Sequence, residues 1–352
     1  MSQIKKNVIN WFETHYSDLH NQMVVCNHTH TSGRPNPYHL ENGVWTHTMM
    51  VMDLAKNDIN HIFAALLHDI GKISTRHEKD NGRVAFRYHE NVSMFKSIDI
   101  LNHAKTEFNV DILLALKLIA WHGSLWSRNR IPISESFKTI DACYGHQPEF
   151  LKELIEFVQA DAYGRDYDKA VQQELDFLDE QFGYLDMYIP YNTQTYKPHR
   201  NRDAVFLIGV SGSGKSTYLE KNPMDDCAVI SVDNFFYDKK MGYDSVNYEK
   251  NIKKAHDASV QDLLQAVESR KNIVVDMTNL SAETRGKKLV KIPTTQYNHK
   301  AVVFLKGENL TAENMKKRDH KQLTSEIISK QITQFELPNY DEFDEIQYVF
   351  TN

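Results

Sequence analysis

The amino-acid sequence predicts two domains of different class: an all-α helical bundle over residues 1–188 and an α/β domain with a parallel sheet over residues 203–352. Apolar residues recur at helical spacing in the first half, whereas short apolar runs alternate with amphipathic stretches in the second. Residues 189–202 contain two prolines, show no periodicity and are predicted as the linker. A length of 352 residues is enough for about two domains, each with its own core.

Composition limits the functions that the chain can have. Apolar and charged fractions of 41% and 25% are typical of a soluble globular protein, and no run approaches the roughly 20 apolar residues of a membrane span. The three cysteines are far apart and lack C-x-x-C spacing, which favours a reducing cytoplasm. A net charge of −6 gives no overall basic field for duplex DNA, so any contact with nucleic acid must be local.

Residues 209–216 read G-V-S-G-S-G-K-S and match the phosphate-binding pattern G-x-x-x-x-G-K-[ST]. The preceding run 204–208 is apolar and strand-like, and the following residues are compatible with a helix, as the motif requires. Its backbone N–H groups and helix N-terminus suit the phosphates of ATP or another nucleoside triphosphate. We expect Lys215 to reach the β- and γ-phosphates and Ser216 to ligate Mg²⁺. The predicted nucleotide-binding residues are Gly209, Gly212, Ser213, Gly214, Lys215, Ser216 and Thr217.

Alternation of strands and helices predicts a parallel sheet with helices on both faces. The predicted strands are 204–209, 227–232, 272–277 and 300–305, and the predicted helices are 215–221, 249–270 and 311–334. Asp233 follows the second of these strands, and α/β sheets place their sites at the carboxyl ends of strands. An aspartate there can accept the proton of an attacking hydroxyl, although the same residue could simply cap a helix.

Several polar residues of the first half lie inside apolar helical runs. A single histidine in such a run is more often a hydrogen-bonded core residue than a metal ligand. Four histidines and two aspartates favour a metal site, because buried ionisable groups are costly unless they are paired or bound to metal. These residues are His47, His68, Asp69, His89, His122 and Asp161.

Their order, H…HD…H…H…D, resembles the HD phosphohydrolase family over roughly residues 20–165. The resemblance implies one metal held by His47, His68, Asp69 and Asp161, with Asp69 bridging to a second metal held by His89 and His122. Such ligands suit Mn²⁺, Fe²⁺, Co²⁺, Ni²⁺ or Zn²⁺. Lys72 could neutralise a substrate phosphate, or it could be a solvated lysine at a helix end. His28 and His39 lie outside the pattern and receive no role.

The segment 64–72 and the run Tyr88-His89-Glu90 look most like the HD domain attached to tRNA nucleotidyltransferases. That subgroup acts on 2′,3′-cyclic phosphates and 2′-phosphates. The resemblance therefore implies that RNA ends are the substrate of the first domain.

The second half resembles the 5′-hydroxyl polynucleotide kinase family over nearly all of residues 203–352. Besides the phosphate loop, the shared motifs are S-x-D at 231–233, V-D-x-T-N at 275–279, the basic lid helix at 314–318 and the closing segment 337–346. The resemblance implies that Asp233 is the general base and that Arg318 is the lid arginine, with Lys317 competing for that role.

Two features of this half bear on the acceptor. The family usually places a second arginine soon after the base, where this chain has residues 234–237, so Arg285 or Lys287 could take its place. Phe235, Phe236 and Tyr237 offer faces on which single-stranded bases could stack beside the lysines.

Together the two halves resemble a bifunctional HD polynucleotide kinase family and predict an enzyme that heals RNA ends, and also DNA ends. One domain would remove a 2′- or 3′-phosphate or open a 2′,3′-cyclic phosphate; the other would phosphorylate a 5′-hydroxyl with ATP. The products are the ends that an RNA ligase needs. Two alternatives stay open. The chain could combine a nucleotidase with a nucleoside or small-alcohol kinase, or it could sense nucleotides without turnover.

Overall fold

The computed structural model describes residues 1–123, 148–169, 176, 200–224, 226–238, 245–316 and 323–351. The chain divides into two compact units, Met1–Thr193 and Gln194–Asn352. Residues 189–199 of the predicted linker lie outside the described residues. Among the helices that are described, none is both long enough and apolar enough to cross a membrane.

The N-terminal unit is helical. Its described helices are α1 (Gln3–His15), α2 (Ser17–Val25), α3 (Val44–Leu54), α4 (Ile59–Leu67), α5 (Lys72–Thr75), α6 (His89–Ala104), α7 (Ile112–Trp121) and α8 (Pro148–Tyr163). A short antiparallel hairpin, β1 (Arg76–Glu78) and β2 (Val84–Phe86), lies between α5 and α6 and was not predicted. Three residues per strand are too few for an alternating pattern to be visible in the sequence.

Helix α4 is the centre of this unit. Every residue from Ile62 to Leu67 is fully buried, and the helix packs against α1, α3, α6, α7 and α8. A helix that is apolar on all sides is stable only inside a core. Asp58 begins the helix by accepting hydrogen bonds from the N–H groups of Asn60 and His61. The helix ends at Leu67, so His68 and Asp69 follow directly from the most buried element of the unit.

The C-terminal unit is an α/β domain built on one parallel sheet. Its strands are β3 (Arg202–Ile208), β4 (Cys227–Ile230), β5 (Asn272–Asp276), β6 (Tyr297–Leu305) and β7 (Glu345–Phe350), in the spatial order β4-β5-β3-β6-β7. All four neighbouring pairs are parallel. The described helices are α9 (Lys215–Lys221), α10 (Val232–Asp238), α11 (Ser245–Glu268), α12 (Ala282–Leu289), α13 (Glu308–Lys316) and α14 (Ser325–Thr333).

The predicted fold class, a helical unit followed by an α/β unit with a parallel sheet, is confirmed. Each of the four predicted strands is present, with ends shifted by up to three residues. Strand β7 was missed because it lies at the sheet edge and most of its side chains are partly or fully exposed, so no apolar run marks it. The predicted helix 311–334 covers two described helices, α13 and α14.

Candidate active sites

Two groups of side chains meet beside Asp69 in the helical unit. In the first group, His47 Nε2 lies 3.0 Å from Asp161 Oδ1 and 3.4 Å from His68 Nε2. In the second, His89 Nε2 lies 3.3 Å from His122 Nε2. Asp69 lies between them, with Oδ2 3.4 Å from His68 Nε2 and Oδ1 3.3 Å from His89 Nε2. The six predicted ligands are therefore adjacent in space.

The four imidazoles are oriented by the backbone. Each Nδ1 lies within hydrogen-bond distance of a carbonyl oxygen, and a carbonyl can only accept, so a neutral ring carries its proton on Nδ1 and presents the Nε2 lone pair to the group. His68 and His122 each follow the last residue of a helix, where carbonyl groups lack helical partners. The four contacts are His47 to Gly164 at 2.9 Å, His68 to Ala65 at 2.8 Å, His89 to Phe86 at 2.8 Å and His122 to Ile119 at 2.7 Å.

The charge states of this centre fit divalent metal ions. Burial raises the pKa of Asp69, but its neighbours His68 and Lys72 outweigh that effect and hold the pKa well below its usual range. Arg165 and His47 outweigh burial in the same way and lower the pKa of Asp161. Ionised, buried carboxylates facing imidazole lone pairs are a donor set for a transition metal.

Lys72 is buried in the centre and is not a solvated lysine. Its Nζ lies 2.7 Å from Asp69 Oδ2 and 3.1 Å from His28 Nε2. His28 donates from Nδ1 to the carbonyl of Asn42 at 3.0 Å, which leaves Nε2 to accept from the lysine. Burial and the charge of Lys72 lower the pKa of His28 to about 2.

Sequence reasoning missed three further residues around the centre. The ring of His39 stacks on that of His28, with centroids 4.1 Å apart and planes 6° apart, and its Nδ1 lies 2.7 Å from Glu41 Oε1. No spacing signal marks these residues, because they come from an irregular segment ahead of α3. Arg165 donates to Asp161 Oδ1 at 2.7 Å, and its position four residues after that aspartate is a signal that could have identified it.

In the α/β unit the phosphate loop connects β3 to α9. Gly212 and Gly214 have positive φ angles of 85° and 101°, which glycine adopts without strain. The Lys215 ammonium donates to the carbonyls of Gly209 and Val210 at 2.8 and 3.0 Å. Position 209 requires glycine for a different reason, which is close packing. A Cβ there would lie 2.6 Å from Ser213 Oγ.

Three side chains that are distant in sequence form hydrogen bonds with this loop. Asn314 donates to the carbonyl of Gly212 at 3.1 Å, and Thr351 donates to that of Ser213 at 2.9 Å. Gln331 accepts from the N–H of Ser211 at 2.8 Å. These bonds occupy polar groups of the loop and hold its shape.

A cavity of about 540 Å³ lies at the carboxyl ends of the strands. The phosphate loop contributes four residues to the cavity wall: Ser211, Gly212, Lys215 and Ser216. The other predicted nucleotide-binding residues do not line the cavity; they are Gly209, Ser213, Gly214 and Thr217. Its wall also includes Asp233, Tyr248, Asp276 and Met277. The predicted general base therefore shares one cavity with the loop lysine, which is the arrangement that phosphoryl transfer to a hydroxyl needs.

Two family models match the chain. A model described as an HD domain matches residues 44–165, and a model described as an AAA domain matches residues 205–338. The chain joins an HD domain to a P-loop domain. The HD match includes all six residues of the histidine–aspartate centre, and the AAA match includes the phosphate loop and Asp233. A P-loop kinase implies ATP and Mg²⁺, and an HD domain implies metal ions.

The chain is similar to two solved structures. A gluconokinase from Sinorhizobium meliloti 1021 is 18% identical, with a TM-score of 0.28, over 43% of this chain and 84% of its own. An unliganded sugar kinase from Janibacter sp. HTCC2649 is 14% identical, with a TM-score of 0.29, over 42% of this chain and 85% of its own. No curated protein matches the chain.

Two expectations for the acceptor side of the P-loop domain are wrong. Arg285 is fully buried, pairs with Glu342 through two contacts of 2.7 Å and donates to three carbonyls, so it is a core residue and cannot replace a substrate-binding arginine. Phe236 is fully buried as well and offers no face to a base. The lid residues Lys317 and Arg318 lie outside the described residues.

Proposed function

We propose that this protein heals the ends of broken RNA, and also of DNA. Its HD domain would remove a 2′- or 3′-phosphate or open a 2′,3′-cyclic phosphate. Its P-loop domain would transfer the γ-phosphate of ATP to a 5′-hydroxyl. The observation that carries the proposal is the presence, on one chain, of a buried histidine–aspartate centre and a cavity that joins a phosphate loop to an aspartate.

The HD centre supports the hydrolytic half. His47, His68 and Asp161 would hold one metal ion, His89 and His122 a second, and Asp69 would bridge them. Bound metal ions would supply Lewis acidity for hydrolysis at phosphorus. Lys72, whose ammonium lies 2.7 Å from the Asp69 carboxylate, would bind a phosphate oxygen of the substrate. Mn²⁺, Co²⁺, Ni²⁺ and Fe²⁺ all suit this donor set.

The cavity of the P-loop domain supports the kinase half. Lys215 and the backbone N–H groups of the loop would bind the triphosphate, with Mg²⁺ on Ser216. Asp233 would accept the proton of the attacking hydroxyl, since it lines the same cavity as Lys215. Arg318 would stabilise charge on the transferring group, as the family resemblance implies.

The two activities complement each other. A strand with a 5′-hydroxyl and a 3′-phosphate or cyclic phosphate cannot be joined by a conventional ligase. Removing one phosphate and adding the other gives the 3′-hydroxyl and 5′-phosphate that sealing requires. A cytoplasmic RNA ligase is the partner that this chemistry implies.

The test uses an RNA oligonucleotide with a 5′-hydroxyl and a 3′-phosphate, incubated with γ-labelled ATP, Mg²⁺ and Mn²⁺. Wild type is compared with Asp69→Asn and Asp233→Asn, two substitutions that keep side-chain volume. We expect both ends to react in wild type, the 3′ reaction to be lost only in Asp69→Asn and the 5′ reaction only in Asp233→Asn. A parallel reaction with nucleosides in place of the oligonucleotide tests the alternative of a nucleoside or small-alcohol kinase. If nucleosides are phosphorylated and the oligonucleotide is not, the small-alcohol kinase replaces the proposal.

A further inference from the structure

We propose that Tyr248 is the platform on which the terminal nucleoside of the acceptor strand stacks when its 5′-hydroxyl reaches Asp233. This inference rests on the proposed function and assigns the part of the acceptor that enters the cavity. The chemical class of that part is a neutral nucleoside with an aromatic base.

The ring of Tyr248 is held in one orientation by its contact with a buried ring. It comes from helix α11 and stacks on Phe236 of α10, with ring centroids 5.6 Å apart and planes 19° apart. Phe236 is fully buried in a small core with Val232 and Ala255. An aromatic ring fixed in this way is a rigid surface, and it loses little conformational entropy when a ligand stacks on it.

Tyr248 also lies where an acceptor must bind. It lines the same cavity as Asp233, the predicted general base. Burial and the neighbouring charge of Asp233 raise the pKa of its hydroxyl, so the phenol stays neutral at physiological pH. A neutral aromatic side chain beside the predicted base suits a nucleobase, whichever of the bases it is.

The charges of the cavity wall favour a neutral group over a phosphate. Three carboxylates line it, Asp233, Glu249 and Asp276, and Lys215 is the only lysine or arginine among its described lining residues. Lys215 belongs to the phosphate loop and serves the nucleotide. His256 lines the cavity as well, but burial and the charge of Lys288 lower the pKa of its imidazole, which favours the neutral form. The terminal nucleoside of a 5′-hydroxyl strand is uncharged, whereas its first phosphodiester would be repelled and would remain outside.

The experiment pairs a change in the enzyme with a change in the acceptor. Two RNA oligonucleotides with 5′-hydroxyls are compared, identical except that one has an abasic ribose at the 5′ end. The KM of each is measured for wild type, Tyr248→Leu and the matched control Tyr248→Phe, which keeps the ring. We expect the abasic acceptor to raise KM about tenfold in wild type and Tyr248→Phe, and both acceptors to be equal in Tyr248→Leu. The KM for ATP should stay within about twofold in all three, which separates loss of a platform from general damage to the domain.

Each outcome decides the assignment. If the two acceptors have equal KM values in wild type, no base is stacked and the role of Tyr248 is contradicted, whatever the variants show. If Tyr248→Leu keeps the tenfold preference, another residue binds the base and the end-healing function stands. If wild type phosphorylates no oligonucleotide at all, the proposed function fails and this inference fails with it.

Discussion

At the scale of single residues, the HD centre depends on which nitrogen of each histidine carries the proton. All four rings have Nδ1 within hydrogen-bond distance of a backbone carbonyl, which leaves Nε2 for a metal. Two such Nε2 atoms lie only 3.3 Å apart in the pair His89 and His122. Burial lowers the pKa of His122 to about 4, so it is neutral at physiological pH. A divalent cation between the two rings would be held by both Nε2 atoms.

Lys72→Met tests whether the buried ammonium acts on substrate. Methionine keeps most of the side-chain volume but removes the charge 2.7 Å from Asp69 Oδ2. We expect release of the 3′-phosphate to fall about 100-fold, as when one preorganised donor is removed from a transition state. The 5′ kinase activity measures the integrity of the chain and should not change. Lys79→Met, at an exposed lysine next to the hairpin, is the matched control, and an equal loss in that variant would contradict the assignment.

Arg285→Met should destabilise the P-loop domain. The change leaves Glu342 without its partner and removes donors from three backbone carbonyls. Loss of one member of a buried ion pair costs about 3–5 kcal/mol. The measurement is the urea concentration that abolishes kinase activity, compared with Lys287→Met on the same helix. Lys287 is exposed and forms an ion pair with Glu283, so its replacement should change stability by less than about 1 kcal/mol.

The same arginine shows what sequence can and cannot predict at a site. The sequence indicated the phosphate loop and the histidine–aspartate cluster because they are marked by local spacing or by polar residues inside apolar runs. Arg285 was misjudged because its partner Glu342 lies 57 residues away in the sequence. His28 was missed because its partner Lys72 lies 44 residues away. Nothing in the local sequence distinguishes a buried arginine from an exposed one four residues into a polar helix.

At the scale of elements, the crossing of α5 and α6 positions the second metal group. Gly71 precedes α5, and a Cβ on it would lie 2.3 Å from the carbonyl oxygen of His89 and 2.7 Å from the N–H nitrogen of Ser93. Its backbone is in the ordinary helical region, so close approach and not conformation requires glycine. The first turn of α6 can contact α5 only because this side chain is missing.

Gly71→Ala should therefore shift the start of α6 and with it His89. We expect a loss of about 1–3 kcal/mol in the stability of the HD domain, the usual cost of overpacking, together with reduced 3′-phosphate release. The readout is denaturation followed by tryptophan fluorescence. Stability equal to wild type would show that α6 moves without cost.

Gly286→Ala should have the opposite effect and stabilise the P-loop domain. This glycine lies inside α12 with nothing within 4 Å of its ideal Cβ position. Alanine reduces the conformational freedom of the unfolded chain, so we expect a gain of about 0.5–1 kcal/mol. The midpoint of urea inactivation of the kinase measures it, and a decrease would mean that this face of α12 has a contact that alanine disturbs.

Sequence predicted the elements better where they are buried. The central strands β3 and β5 were found because their side chains form continuous apolar runs, as expected for a parallel sheet covered on both faces. Strand β7 at the edge and the short hairpin β1–β2 were not found, since neither buries enough side chains to create a periodic signal.

At the scale of the whole molecule, the proposed function gives the two units opposite phosphate chemistries with different requirements for metal. The kinase cavity needs Mg²⁺ together with ATP, whereas the HD centre offers four imidazoles and two carboxylates, a donor set for transition metals. The tryptophans make the units separable in experiments. All four, Trp11, Trp45, Trp121 and Trp126, belong to the N-terminal unit, so tryptophan fluorescence follows that unit alone.

Removing metal should therefore affect one half of the protein. After treatment with a strong chelator and its removal, we expect no release of 3′-phosphate, but normal 5′ phosphorylation once ATP and Mg²⁺ are supplied. An ion that binds only the folded state stabilises it, so the midpoint of thermal unfolding seen by tryptophan fluorescence should fall by roughly 5–10 °C. Mn²⁺ should restore both the midpoint and phosphate release. The urea midpoint of kinase activity should not respond to the chelator. Recovery of both activities with Mg²⁺ alone would show that the histidine–aspartate centre does not depend on a transition metal.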